Sequence, residues 1–157
     1  MIDHLATEFG HRGLETALAR LDTVDFLDVP LCVSEILHWA YALQVLYTDH
    51  LGSVERYQTA QRADLDGRVV YGLMKARHWV VHALQTPSEL TDSAFDPRVF
   101  QVDAFQVGRW HWVPLTGDTP DVGTPRDHYR RFVATQPVRE PLAHLQPWYD
   151  TAATCWG

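Results

Sequence analysis

Apolar residues along the chain recur first at helical spacing. Leu14, Ala17, Leu18 and Leu21 fall three and four apart, which predicts a short amphipathic helix over residues 14–21, with Gly10 and Gly13 loosening its start. Pro30 then breaks the chain. Ser34 is placed to cap a strong helix over residues 35–50, closed by Gly52. Ile36, Leu37, Trp39, Ala40, Leu43, Val45, Leu46 and Tyr47 clothe that helix almost all round, so it is expected to be the most buried element. A shorter helix follows over residues 53–62. Asp64 or Asp66 caps the next one, expected to run to about Gln85 and to stop before Pro87. Val69, Val70, Leu73, Met74, Val80, Val81 and Leu84 cover much of its circumference, so it too must be largely buried.

The pattern changes beyond Pro87. Ser, Thr, Asp and Pro dominate residues 88–97, which read as a loop. The stretch RVFQVDAFQVGRWHWVPL, rich in Val, Phe and Trp, reads as one or two short strands at about 98–113. Residues 116–125 form a Gly/Pro/Asp loop, and two short helices finish the chain at about 126–134 and 138–153, with Pro141 near the start of the second. No internal repeat or low-complexity tract interrupts this order. The predicted fold class is mainly α, a bundle of four to five helices with a small β element (about residues 98–113), all in one domain over 1–157.

Composition narrows the function classes. A chain of 157 residues that is 46% hydrophobic, with six each of Trp, Tyr and Phe, can bury one sizeable core and is not expected to be disordered. No uninterrupted apolar stretch reaches the roughly 18 residues of a bilayer span. The start Met1-Ile2-Asp3-His4 lacks the basic-then-apolar pattern of a signal peptide. Cys32 and Cys155 match neither a disulfide framework nor a zinc knuckle. A cytoplasmic protein without membrane contact is expected. With 20 acidic against 13 basic residues, the net charge of −7 disfavours broad coating of DNA. The charge is uneven, however: residues 68–84 hold Arg68, the single lysine Lys75, Arg77, His78 and His82, and no acid.

That stretch is the densest cluster of chemistry-bearing side chains. Titratable groups in so apolar a helix are costly unless paired or part of a site. His78 and His82 are four apart, and Tyr71 and Lys75 continue their stripe. An ideal helix turns Arg77 roughly 140° away from His82, so one helix alone does not aim both at one point.

The segment Gly72-Leu73-Met74-Lys75-Ala76-Arg77-His78-Trp79-Val80-Val81-His82-Ala83-Leu84 resembles the signature helix of HEPN domains (higher-eukaryote and prokaryote nucleotide-binding), in which an Arg is followed by a polar residue and, after three intervening positions, by a His. More loosely, residues 34–43 resemble the acidic and aromatic helix that precedes it in some bacterial relatives. The resemblance spans about a third of the chain, residues 34–85. It implies an all-α bundle, a homodimer whose two copies build one cleft, and metal-independent endoribonuclease activity or RNA binding, in a toxin–antitoxin or antiphage setting with a cognate antitoxin or defence partner. Arg77, His82 and His78 would then be catalytic, with Lys75 and Tyr71 binding substrate and no metal or other cofactor. His82 titrates near neutrality and suits acid–base work, while Arg77 stays charged and suits the scissile phosphate. His78 departs from the commoner Asn, which leaves its role open.

Other readings stand beside this one. Arg77 bridged to Glu35 or to an Asp would be structural, making the protein a non-catalytic interaction or assembly module. His78 and His82 have the spacing of two zinc ligands, with Glu35, His38 or Asp49 as further candidates for a helical metal-dependent hydrolase. Trp110 and Trp112 share one face of a strand and either stack bases or close the core. Arg126, Arg130 and Arg131, near His128 and Tyr129, form a small basic patch interrupted by Asp127. Leu142, Leu145, Trp148, Tyr149 and Ala152 make an amphipathic stripe, and Cys155 and Trp156 read as a frayed or interface tail.

Overall fold

A computed structural model describes residues 4–25, 28–77, 84–85, 110–114 and 122–156. Its elements are α1 (His4–Arg20), α2 (Val29–Leu51), α3 (Val54–Ala63), α4 (Leu65–Ala76), β1 (Leu84–Gln85), β2 (His111–Trp112), α5 (Pro125–Phe132), α6 (Arg139–Leu142) and α7 (Leu145–Trp156). The protein is mainly helical, a bundle with a small β element. The loop expected at 88–97, residues 98–109 of the β element expected at 98–113, and residues 116–121 of the loop expected at 116–125 lie outside the described residues.

Helix α1 starts ten residues before the predicted Leu14, because Gly10 and Gly13 do not weaken it but let α2 approach. A Cβ on Gly13 would stand 2.6 Å from the Trp39 ring, and one on Gly10 2.8 Å from Leu43 Cδ2. The two helices run antiparallel, with Gly10 against Leu43 and, further along, Cys32 Sγ donating to the Ala17 carbonyl at 3.5 Å and Arg20 paired with Glu35. Helix α2 likewise begins before the predicted cap: Pro30 lies in its first turn, where a missing N–H costs nothing, and Asp28 rather than Ser34 precedes it. Gly52 closes it as expected, in the left-handed conformation (φ 64°). Ser53 and Asp64 cap α3 and α4, accepting from the N–H groups of Arg56 and Gly67 at 3.2 and 3.1 Å.

By length and composition α2 meets the dimensions of a membrane span, with 23 residues and a mean hydropathy of 1.3 over its best window, since averaging passes over the breaks that shorten each apolar run. Its Val29, Cys32, Val33, Ile36, Leu37, Ala40, Leu43 and Tyr47 are turned into the protein core. Tyr47 stacks on Tyr149 of α7 (centroids 6.3 Å apart), and Trp156 packs edge-on to Tyr47 and Trp148. Trp156 is therefore a half-buried part of the aromatic core rather than a frayed end. The Trp148 indole N–H donates to the Tyr57 hydroxyl at 3.0 Å, which satisfies two polar groups taken out of water.

Two predicted boundaries move. The helix expected to reach Gln85 does not do so: α4 ends at Ala76, and Leu84–Gln85 pair antiparallel with His111–Trp112. Tertiary pairing overrides an apolar pattern that suits either a buried helix or a strand. The C-terminal helix divides at Ala143-His144, because Pro147 has no N–H for the Ala143 carbonyl and its ring would strike it. The β2 segment is also held from its other side. The Trp112 N–H donates to the Gln136 carbonyl (3.0 Å), and the Thr135 N–H to the Trp112 carbonyl (2.9 Å). Trp112 is wholly buried and closes the core, which removes it as a base-stacking surface, while Trp110 is half-buried against the same core.

At Gly72 the backbones of α4 and α5 meet: a Cβ there would stand 2.7 Å from the Tyr129 nitrogen. Alanine favours a helix over glycine by about 1 kcal/mol, whereas overpacking a core costs about 1–3 kcal/mol and a backbone neighbour cannot swing aside. Gly72→Ala is therefore expected to lower stability by about 1–2 kcal/mol in urea denaturation; unchanged or raised stability would contradict this close approach.

Candidate functional site at the end of helix α4

The residues predicted to carry chemistry are distributed along α4 by its own geometry. Asp64 caps the helix, Val69, Val70, Leu73 and Ala76 anchor it in the core, and the remaining positions look toward different neighbours. Arg77 is the residue that ends the helix, still in helical conformation (φ −52°, ψ −40°). It is half-buried, and its Cζ lies 3.6 Å from the centre of the Tyr41 ring on α2. At that separation the guanidinium is stacked on the ring, a cation–π contact worth about 0.5–2 kcal/mol depending on its desolvation. Lys75, two residues earlier, is exposed. His78 and His82 lie outside the described residues.

Glu35, the acid named above as a bridging partner for Arg77, pairs with Arg20 instead. Tyr41 anchors Arg77 to α2.

Tyr71 faces elsewhere. It is buried, its ring edge-on to His128 of α5 at 5.3 Å, with the Arg62 Cζ at 5.7 Å from its centre. The structure therefore groups Tyr71 with α3 and α5, and Arg77 with α2. A substrate-binding Tyr71 would have to act through that packed contact rather than as an open surface.

The basic patch predicted on α5 is likewise reorganised. Tyr129 is wholly buried and its hydroxyl donates to the Val113 carbonyl at 2.7 Å. Asp127 is buried, accepting from the Gly123 N–H at 2.9 Å and from Arg131 Nε at 2.8 Å. The Gly123 hydrogen bond and the Arg131 charge hold its carboxyl below the usual range, against the opposing effect of burial. His128 is buried beside it, and burial pushes its imidazole below the ordinary histidine value. The main-chain contact to Arg68 and the Asp127 charge pull the other way, while Arg131 and Arg62 push further down. Its role was not singled out from sequence, where it reads only as one member of an arginine-rich turn. Its neighbours Arg62, Arg68 and Tyr71 come from other helices.

Among the described residues no group of three or more His, Cys, Asp or Glu side chains is arranged to hold a metal ion. Of the ligands considered with His78 and His82, Glu35 is engaged by Arg20, and His38 and Asp49 are exposed on α2.

A second, half-buried imidazole, His11, contacts the Tyr47 hydroxyl at 2.9 Å, and burial pushes it down despite Asp150. Both histidines thus have folded values below the unfolded one of about 6.5. The unfolded chain takes up their protons first, so their contribution to stability is present above about pH 6.5 and is lost as pH falls toward the folded values. Melting temperature is expected to drop between pH 7 and 5, and the His11→Gln, His128→Gln double variant to flatten that slope. An equally steep slope in the variant would refute the assignment.

Comparison of the chain with family models, curated proteins and solved structures returns no match, so the functional reading rests on these residues and on the sequence resemblance.

Proposed function

We propose that the protein is a HEPN-like RNA-binding domain that cleaves RNA without a metal ion, with Arg77 as its phosphate-contacting residue. The observation that carries this reading is the stack of Arg77 on Tyr41 at 3.6 Å beside the exposed Lys75. A ring contact restrains a flexible guanidinium before any ligand arrives, which lowers the entropy lost on binding phosphate. In this reading His82 supplies acid–base chemistry, with His78 and Lys75 adding donors and positive potential. A homodimer would bring two such clusters into one cleft and so offset the net −7 locally. A cognate antitoxin or defence partner belongs to the same analogy. One feature departs from the family pattern: Leu84–Gln85 form a strand, so Arg77 and His82 would have to meet by a route other than a helix continuing to Gln85.

A second reading is favoured by specific contacts. Tyr71 is buried against His128 and Arg77 is stacked across to α2, which makes both suitable as staples of a non-catalytic interaction module.

Purified protein incubated with single-stranded RNA separates the two. His82→Ala is expected to slow cleavage by about 10²–10⁴-fold, a typical range for removing an acid–base group, and Arg77→Ala by about 10²–10³-fold, the range for removing a group that stabilises transition-state charge. Arg77→Ala should lose at least the stacking contact, about 0.5–2 kcal/mol, in urea denaturation. Chelator should leave the rate unchanged. Wild-type protein that neither binds nor cuts RNA, with Arg77→Ala acting on stability alone, would favour the assembly module. Activity abolished by chelator would point to the metal-dependent hydrolase.

A further inference from the structure

On the side of α4 where Tyr71 packs, three rings from α4 and α5 form a continuous row. Tyr71 lies 5.3 Å from His128, and His128 lies 5.7 Å from Phe132. Arginines stand at both ends. The Arg62 Cζ is 5.7 Å from the Tyr71 ring centre, and the Arg68 Cζ is 5.7 Å from that of Phe132. Arg131 approaches from α5, one turn along from His128. Two guanidiniums, from α3 and α4, therefore rest on one aromatic strip, and a third, bonded to Asp127, stands beside it on α5. Of the described acids beside them, Asp64 is committed to the Gly67 N–H, and Asp127 to Gly123 and Arg131. Three arginines against these two carboxylates leave the strip a small excess of cation on a chain that is otherwise acidic. Within the row, His128 Nδ1 is buried with no hydrogen-bond partner. A buried ring nitrogen with no hydrogen-bond partner is expensive, and an anion close to the cluster would offset the cations and favour the protonated ring, whose N–H can donate.

We propose that Arg62, Arg68 and Arg131, arrayed along the Tyr71–His128–Phe132 row, form a second anion-binding surface for a phosphate or phosphodiester group, separate from Arg77. Guanidiniums resting on rings keep a planar donor fork that matches phosphate oxygens. A bound anion offsets the repulsion among the three cations and makes protonation of His128 more favourable, so the imidazole reports occupancy from inside the row. The surface stands independently of the cleavage reading, since Arg77 packs on a different helix.

The test uses the intact protein with two probes, inorganic phosphate and a short single-stranded RNA. The imidazole titration of His128 is followed by NMR, and RNA affinity by fluorescence anisotropy across a range of salt concentrations. Phosphate is expected to raise the His128 titration midpoint in wild type and in Arg77→Ala, and Arg62→Gln or Arg131→Gln to abolish that shift. If RNA is the source of the phosphate, each of these two substitutions weakens RNA binding about three- to tenfold. Each also lowers the slope of log affinity against log salt by about 1, which a merely structural role would not move. A phosphate response without an RNA response assigns the surface to a free phosphate compound. An unmoved His128 midpoint together with wild-type RNA affinity in both variants would overturn the proposal. Loss of RNA binding in Arg77→Ala alone would then leave the cleavage reading standing. Loss in Arg62→Gln but not in Arg77→Ala would retain this surface and remove Arg77 from RNA contact.

Discussion

Helix α4 lies so close to α5 at Gly72 that no side chain can stand between them. That constraint has consequences at both ends of the helix. At its start, Gly67 admits the Gln61 carbonyl and the Trp148 ring, so the turn from α3 folds tightly under the Asp64 cap. At its end, the buried Val69, Val70, Leu73 and Ala76 fix the rotation that carries Arg77 to Tyr41. A helix in van der Waals contact along so much of its length has little freedom to roll, since close-packed interiors forfeit dispersion energy when shifted. The placement of the basic groups is therefore a packing result before it is an electrostatic one.

The core around this helix is aromatic, and several of its ring polar atoms are matched internally. Tyr149 donates to the Ala40 carbonyl, Trp148 donates to Tyr57, and His11 meets Tyr47. Burial lifts the Tyr47 hydroxyl to about 12 and raises Tyr57 and Tyr149 as well, so these groups remain neutral donors and acceptors at physiological pH. Such pairing lets these rings supply apolar area while their own polar atoms stay bonded. The tie between Arg139, Asp22 and the Leu21 carbonyl joins the end of α1 to α6 at the surface. Exposed ion pairs of this kind add little, and the rings carry most of the stabilisation.

Several elements were legible in the sequence because their signals are local. Gly52 closes α2, Ser53 opens α3 and Asp64 opens α4, each by a cap whose chemistry involves residues within one turn. The stripe Leu142, Leu145, Trp148, Tyr149 and Ala152 is core, as its spacing implies. Boundaries failed where a residue serves a distant contact. Gly10 and Gly13 look like helix weakeners but accommodate α2, and Pro30 looks like a breaker but begins a helix. The apolar run through Leu84 has no feature in its own sequence that reveals pairing with Trp112.

The candidate site divides the same way. The sequence alone determined that residues 68–84 concentrate cations and imidazoles in an acidic chain, and that an Arg-polar-x3-His spacing lies within them. Composition and spacing are properties of the covalent chain and need no fold. Only the tertiary structure decided that Arg77 rests on Tyr41 while Glu35 pairs with Arg20. It also decided that Tyr71 joins His128, Arg62 and the α5 face rather than standing open beside Lys75. Those pairings are set by which helix faces meet when apolar surface is buried. That is a long-range outcome which a 3.6-residue period cannot encode.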